Sequence, residues 1–453
     1  MNLFSRFPDL YRYTRSEATK ARLLAGFLTS NFICFSVFVF MKDLPNRWTA
    51  FYHTALWLQI SPLLVYGTLR TTGAISQERL ERTWDFQRLT PLSSFDITLG
   101  KLLGAPVFGY FLFAAMLPWT FLVILASGSI GWADFWATYR LPFAVAFFAL
   151  NFGLLISAQS FEGRQSKFAS SMGAFLGLWA VGQLVSMQAV HIMKKLHPEN
   201  SSIQQMVSFY SLPMSPESFM ILSLVVYGIW AFFGAQWRIG EDLLEKRRFW
   251  RFPAFLAFLT WYILGSSIPM GFPIPTISKE ITTLTALAYA CFFVYAGGFL
   301  WVERADYWRR WLRGRKDDPD WLDRTPVWVT GYLSLAVIAA CLSLLALLKI
   351  QGGWSRLLVL LPLFTGRDLL FLQWCRFTRS RRADTMAVIY ICLAYALPPM
   401  LLTPLKLTAH LYLYAPIPQD QVGFFQNIIS GFLQMLLLGL LTFRKLRSQP
   451  QPE

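Results

Sequence analysis

The charged residues between Glu78 and Lys101 are the first whose types and spacing indicate chemistry. The charged side chains of this segment are Glu78, Arg79, Glu81, Arg82, Asp85, Arg88, Asp96 and Lys101. Carboxylates and cations at such spacing form ion pairs along a helix or across a protein interface. Neither histidine nor cysteine lies among them. The segment therefore predicts attachment to a partner rather than catalysis.

The pair Gly100-Lys101 is not a phosphate-binding loop. Phe95 stands where such a loop needs its first glycine, and Leu102 stands where a serine or threonine would hold magnesium. The five cysteines and four histidines of the chain show no metal-ligand spacing. We expect no catalytic residue, metal site or cofactor in this chain, and hence no enzyme.

A second polar pair, Arg367 and Asp368, stands inside an apolar stretch. Charged groups inside a membrane are costly and often functional. Because adjacent residues of a helix do not face one another, we expect each to find a partner elsewhere or to line a wet cavity. The competing interpretation is that the helix breaks near Pro362 and Gly366 and leaves both at the cytoplasmic interface.

The elements that must position these residues are membrane spans. Hydrophobic residues make up 55% of the chain and charged residues 15%, which indicates an all-α, polytopic membrane protein. Apolar runs long enough to cross about 30 Å of hydrocarbon as helix occur twelve times. The predicted spans are Leu23 to Met41, Phe51 to Leu69, Leu102 to Ala126, Leu141 to Ser160, Ala169 to Met193, Phe219 to Trp237, Phe252 to Ile268, Ile281 to Trp301, Val327 to Leu348, Leu357 to Trp374, Ala383 to Leu402 and Phe424 to Phe443.

The basic residues predict the orientation of these spans. With twelve spans, 31 of the 41 lysines and arginines fall on one side and 9 on the other. Cytoplasmic connections retain basic residues, so both termini are expected in the cytoplasm of a cell-membrane protein. The charge is spread over seven short segments, where it attracts anionic lipid headgroups. A nucleic-acid partner is not expected.

Loop lengths predict two six-helix repeats. The pattern places an amphipathic interfacial segment at 1–22, the first repeat at 23–240 and the second at 241–453. A long inner connection follows the second span of each repeat, and the one in the second repeat covers residues 302–326. A long outer connection follows the fifth span of each repeat, at 194–218 and at 403–423. Copies that share an orientation imply a pseudo-twofold axis along the membrane normal, with a pathway between the halves.

Local signals predict a helix, an elbow and a second helix over residues 76–96. Ser76 is the expected N-cap, with Glu78 in the first turn and Leu80 and Trp84 on one apolar face. Thr90-Pro91 then stops this helix, since proline disfavours a helical residue before it. Ser93 or Ser94 caps the next helix, with Asp96 in its first turn.

The order of residues in this segment resembles the permeases of type-2 ABC exporters. The residues that carry the resemblance are Glu78, Thr83, Leu89, Thr90-Pro91-Leu92-Ser93, Ile97 and Gly100-Lys101. Three positions depart from the family pattern: Leu80 replaces a glutamate, Glu81 an arginine and Arg82 a glycine.

The resemblance implies that this segment is a coupling helix between the second and third spans, which docks in a cleft of an ATP-binding subunit. The docking residues that it implies are Glu78, Arg79, Glu81, Arg82, Thr83, Asp85, Pro91, Leu92 and Ser93. The departures put the details of this docking in question, not the position of the helix.

The second half holds a weaker copy of this segment. Thr325-Pro326 precedes the ninth span as Thr90-Pro91 precedes the third, but no Pro-Leu-Ser elbow follows. The residues of a degenerate second docking helix would be Tyr307, Trp308, Arg309 and Arg310. The alternative is an interfacial helix whose aromatic and basic side chains hold lipid headgroups.

The function that follows from the resemblance is that of a permease, driven by ATP and Mg²⁺ on a separate ATPase dimer. Its cargo would be a small molecule or lipid of amphipathic character. Whether one chain forms the pathway or two pair as a homodimer stays open. Two other classes remain as alternatives: an ion-coupled secondary transporter with twelve helices, and a membrane-embedded lipid or glycan enzyme.

Overall fold

The structure is a computed structural model, and most of the residues that it describes are helical. The described residues are 7–128, 130–159, 207–267, 279–300, 305–314, 320–349, 356–378, 383–405, 411, 414–416 and 421–448. Within these ranges, nine helices are long and apolar enough to cross a membrane. This is consistent with a multi-pass membrane protein.

Each of the nine helices corresponds to one of the predicted spans. Many of their ends agree with the prediction to within a few residues, and several helices extend beyond the predicted ends. Their candidate spans are Lys20–Phe40, Val107–Ser127, Trp132–Gln159, Pro216–Asp242, Ile281–Phe299, Val327–Leu344, Leu357–Arg376, Ala383–Leu402 and Gly423–Ser448. The second and seventh predicted spans are helical too, and the seventh is the 15-residue helix Arg251–Gly265. The fifth predicted span lies outside the described residues, so the count of twelve stays a prediction.

The chain divides into two compact units, one of residues 1–205 and 214–246 and the other of residues 206–213 and 247–453. The helices of the first unit are α1 (Pro8–Glu17), α2 (Lys20–Phe40), α3 (Arg47–Pro62), α4 (Thr68–Leu80), α5 (Trp84–Arg88), α6 (Ser94–Gly104), α7 (Val107–Ser127), α8 (Trp132–Gln159) and α9 (Pro216–Asp242).

One long rod runs through the first unit. Helix α3 passes into the π-helical turn Leu63–Gly67 and then into α4, with helical backbone at both junctions. The wide turn directly follows Pro62, which lacks an N–H and cannot continue the regular ladder. At 1.5 Å per residue, α4 carries the chain about 16 Å beyond Leu69, the last residue of the second predicted span.

The predicted start of a helix at Ser76 is wrong. Ser76 lies inside α4, where its hydroxyl donates to the Thr72 carbonyl at 3.2 Å. Glu78 therefore lies at the end of a helix and not in a first turn. The predicted second start is confirmed, because the Ser93 hydroxyl accepts a hydrogen bond from the Asp96 N–H and α6 begins at Ser94.

The first unit packs α9 and α4 against α8, and α3 against α7. Its main core contains Leu64, Ile75, Ala149 and Ile239, all without solvent exposure.

Helix α1 lies directly on α6. A Cβ at Gly104 would come within 2.9 Å of the Tyr13 ring and 3.1 Å of the Leu10 Cα, so the approach requires a residue without a side chain.

The second unit contains α10 (Arg251–Gly265), α11 (Lys279–Leu300), α12 (Ala305–Arg313), α13 (Val327–Lys349), α14 (Leu357–Arg376), α15 (Ala383–Leu402) and α16 (Gln421–Ser448). Helix α14 packs against α11, α13, α15 and α16 and so lies at the centre of this unit. Three short strands, β1 (Val207–Phe209), β2 (Leu212–Met214) and β3 (Ser266–Ser267), complete the list, and β1 pairs antiparallel with β3.

Replacing Gly104 with alanine should destabilise the first unit by about 1–3 kcal/mol, because the added Cβ overpacks the contact with α1. The midpoint of thermal unfolding of the detergent-purified chain measures this. Gly439→Ala is the matched control, since its nearest neighbour would be a Leu370 carbon at 3.9 Å. Equal midpoints for the two variants would contradict the close packing of α1 on α6.

Candidate functional site

The two ends of the 78–101 segment meet in a buried cluster of charges. Lys101 has 0% exposure, and its Nζ lies 2.5 Å from Glu78 Oε2 and 3.4 Å from Asp9 Oδ2. Arg12 pairs with the other oxygen of Glu78 and lies 3.3 Å from Asp9. We call Asp9, Arg12, Glu78 and Lys101 the charged cluster. Lys101, Glu78 and Asp9 are buried, and Arg12, whose side chain is 44% exposed, supplies the second cation that balances the two carboxylates.

Polar neighbours complete the charged cluster. The Gln87 amide donates to Asp9 Oδ1 at 3.0 Å and to Glu78 Oε1 at 3.3 Å. The Trp84 ring lies beneath the Lys101 ammonium, 5.5 Å from it to the ring centre. Burial alone would lower the pKa of Lys101, but the Asp9 and Glu78 carboxylates outweigh it and leave this pKa above its ordinary value. Lys101 therefore stays charged and its ion pairs persist.

A second set of contacts fixes the segment to the end of α9. Arg79 pairs with Asp242, whose backbone carbonyl accepts from Arg88 Nε at 2.9 Å. Burial lowers the pKa of Arg79, and the Asp242 carboxylate opposes that shift. Arg79 also covers the outer part of the Trp84 ring at 5.7 Å. Helix α5 is thus held from both sides although it has only five residues.

The amphipathic pattern predicted for residues 76–96 is inverted in the structure. Glu78 is 5% exposed and Arg79 is buried to a similar degree, whereas Phe86 is 73% and Leu89 is 83% exposed. Leu80 and Trp84, expected on one face of one helix, belong to different helices, and only Trp84 is buried. The reason is that the charged side chains find buried partners from α1, α6 and α9.

The backbone turns sharply between α4 and α5. Arg82 has φ 58°, and the Thr83 N–H donates to the Glu78 carbonyl at 2.9 Å, which closes a Schellman motif. This left-handed position favours glycine, although arginine occupies it in this chain.

The residues predicted to dock a partner thus fall into two groups. Glu78 and Arg79 are buried in ion pairs, while Thr83 and Leu92 are half-buried. The predicted docking residues that are exposed are Glu81, Arg82, Asp85, Pro91 and Ser93. Only this second group is accessible to another protein without rearrangement.

The second predicted docking helix, α12, turns most of its named side chains inward. Trp308 is buried and stacks on Trp328 at 5.2 Å, and Arg309 donates to the Leu446 carbonyl at 3.0 and 3.1 Å. The Tyr307 hydroxyl donates to the Arg324 carbonyl. Arg310 alone among the four predicted residues is exposed.

The expectation that Arg367 and Asp368 cannot meet is wrong. Arg367 Nε donates to Asp368 Oδ1 at 2.8 Å, and a second guanidinium nitrogen lies 2.7 Å from the same oxygen. The long arginine side chain bends along the helix surface and so reaches its neighbour. Helix α14 is continuous through Pro362 and Gly366, which removes the alternative of a broken span.

Both charges have further partners on other elements. Asp368 Oδ2 accepts from the Tyr295 hydroxyl at 2.7 Å and the Tyr395 hydroxyl at 2.8 Å. Arg367 donates to Gln434 Oε1 at 3.0 Å and to the Tyr414 carbonyl at 3.1 Å. Arg367 is the eleventh of the 20 residues of α14, so the backbone at Tyr414 reaches the level of the middle of that helix.

Several residues of these sites carry no local signal in the sequence. Asp9 and Arg12 lie in a segment expected to rest in the headgroup layer, and Asp242 follows an apolar span. Lys101 offers the clearest hint, because a lysine at the start of an apolar run needs a carboxylate nearby. Among the described residues, no group of three histidine, cysteine, aspartate or glutamate side chains is arranged to hold a metal ion.

Comparison with protein-family models, with curated proteins and with solved structures finds no match to this chain.

Replacing Lys101 with methionine should destabilise the chain by about 3–5 kcal/mol, because two buried carboxylates then share one cation. Adding Glu78→Gln to Lys101→Met should restore part of this loss. Thermal unfolding of the purified variants measures both, with the exposed Asp85→Asn as control. If the Lys101→Met variant has the same unfolding midpoint as the wild type, the charged cluster does not stabilise the chain.

The Arg367–Asp368 pair yields a parallel test. Arg367→Met leaves Asp368 buried without its cation and should lower the yield and the unfolding midpoint of the purified chain. The double variant Arg367→Met/Asp368→Asn should recover much of both. Arg140→Met, at an exposed arginine 3.6 Å from Glu217, is the control and should change little. A double variant no better than Arg367→Met would contradict direct coupling of the pair.

Proposed function

We propose that this chain is the permease of an ATP-driven exporter of the type-2 ABC class. It works in the cell membrane with both termini in the cytoplasm and moves an amphipathic or lipid-like substrate. A separate ATPase dimer supplies the hydrolysis of ATP with Mg²⁺.

One observation carries this proposal. The residues at the two ends of the resemblance, Glu78 and Gly100-Lys101, meet: Glu78 pairs with Lys101, and a Cβ added at Gly100 would lie 3.3 Å from the Asp9 Cβ. Between these ends the chain presents a short helix with exposed Phe86 and Leu89. The motif thus has a physical rationale: its ends anchor the segment and its middle remains available to a partner.

The anchoring also supports a mechanism of coupling. A short helix transmits force only if it is attached rigidly to the spans that must move. Glu78 ends α4, which continues the second predicted span, and Lys101 precedes α7, the third. A displacement of α5 by a closing ATPase would therefore move both helices, and would bias the protein between its inward-open and outward-open states.

The ion-coupled alternative receives less support from the polar pair in the second unit. A carrier driven by protons or cations needs a carboxylate that can bind and release them. Asp368 pairs with Arg367 through one carboxylate oxygen and accepts two tyrosine hydrogen bonds on the other, so partners within the chain already occupy both oxygens. We therefore assign Arg367 and Asp368 to holding α14 against its neighbours.

The proposal is tested on the tagged chain purified in mild detergent from its native membranes. We expect an ATPase subunit to co-purify, identified by peptides of its phosphate-binding loop and by vanadate-sensitive ATP hydrolysis. The double variant Phe86→Asp/Leu89→Asp should reduce this activity about tenfold or more, because it places charge where an apolar contact is needed.

Leu44→Asp, at an exposed leucine in the turn after α2, is the control and should retain the activity. The proposal fails if no ATPase accompanies the wild-type chain. It also fails if the Phe86→Asp/Leu89→Asp preparation hydrolyses ATP as the wild type does.

A further inference from the structure

The turn that follows α9 shares an unusual combination of features with the turn that follows α4. Leu244 has φ 62°, the Glu245 N–H donates to the Gly240 carbonyl at 2.9 Å, and the Leu244 side chain is 85% exposed. Helix α9 therefore ends in a Schellman motif with leucine at the left-handed position that glycine favours. Arg82 occupies the same position at the end of α4.

No packing contact among the described residues accounts for a leucine at this position, because its side chain is 85% exposed. The left-handed conformation is strained for a residue with a Cβ, and glycine would adopt it freely. The exposed side chain gains no burial in return. Strained residues and exposed apolar side chains both concentrate at functional surfaces. Leu244 has both features, and it joins Phe86 and Leu89 as an exposed apolar side chain of the first unit.

The structure fixes Leu244 beside α5. Asp242, two residues before it, pairs with Arg79 and accepts from Arg88. Glu245, the next residue, accepts from the Ser94 N–H at 2.9 Å and from the Ser94 hydroxyl at 2.8 Å. Leu244 is thus held between two attachments to the segment that carries Phe86 and Leu89.

Phe86 and Leu89 lie beyond the headgroup layer when Leu69, the last residue of the second predicted span, marks the edge of the hydrocarbon. Helix α4 carries the chain about 16 Å beyond the second predicted span before α5 begins, and α6 runs back over a similar length. The headgroup layer is only about 5–8 Å thick on each side, and a tilt of 40° would still leave about 12 Å. The occupant of the surface at Phe86 and Leu89 is therefore a soluble protein, and Asp242 and Glu245 hold Leu244 beside that surface.

We infer that Phe86, Leu89 and Leu244 form one composite docking face, and that Leu244 enters the same apolar cleft of the ATPase subunit as α5. This inference rests on the proposed function. The exposed side chains of these two turns and of α5 include the cations Arg82, Arg88 and Lys246 and the carboxylates Glu81 and Asp85, so the rim of the partner's cleft carries charges of both signs. Two connections of the chain, not one, then receive the movement of the ATPase.

Variants of Leu244 alone test the inference. Leu244→Met keeps an apolar side chain and should retain the co-purified ATPase. Leu244→Gly should raise the unfolding midpoint of the purified chain by about 1–2 °C, because it relieves the backbone strain, and should nonetheless reduce the co-purified ATPase about tenfold relative to the wild type. Leu244→Asn, which tolerates the left-handed backbone, should show the same loss.

The outcomes separate this inference from the proposed function. If Leu244→Gly and Leu244→Asn keep the wild-type amount of ATPase while Phe86→Asp/Leu89→Asp loses it, α5 docks alone and the composite face is refuted. An equal loss in Leu244→Met would also refute it, since an apolar side chain at this position would then not be what the partner binds. If the wild-type chain carries no ATPase, both proposals fail together.

Discussion

The ion pair between Glu78 and Lys101 is the interaction on which the arrangement of the first unit depends. Lys101 is completely enclosed, so its charge requires carboxylates at the same depth. Glu78 supplies one from the end of α4 and Asp9 supplies another from α1. Three helices that are separate in the sequence are thereby held at one point. These three helices hold the exposed helix α5 in position, because its own five residues are too few to form a stable helix alone.

The sequence predicts well what depends on local composition. Apolar runs of helical length identify the membrane helices, and the Ser93 cap with Asp96 marks the start of α6, because each signal lies within a few consecutive residues. The start assigned to Ser76 fails because serine occurs in the middle of helices as well as at their caps. Packing of α4 against α8 continues the helix past it, and such packing leaves no trace in the residues around Ser76.

The sequence predicts that the 78–101 segment is amphipathic, but it does not predict which of its side chains are buried. Its charges and apolar residues alternate as an amphipathic helix requires, yet Glu78 and Arg79 are buried and Phe86 and Leu89 are exposed. The partners that reverse the pattern are distant, with Asp242 lying 163 residues from Arg79. The contact between Arg367 and Asp368 is also not predicted, since spacing rules based on Cβ positions underestimate how far an arginine side chain reaches.

The π-helical turn at Leu63–Gly67 has a consequence for how such a protein can change. A turn of this kind accommodates one residue more than a regular α-helix would need. Deleting a single residue there would restore a regular helix and leave everything beyond it facing as before. Deleting one residue from the regular part of α4 would instead rotate everything beyond it by about 100°. Glu78 would then leave the side that faces Lys101, although no charged residue had been altered. The direction in which the chain presents its apolar side chains is therefore encoded partly in the length of a membrane helix, where a one-codon insertion or deletion could redirect it.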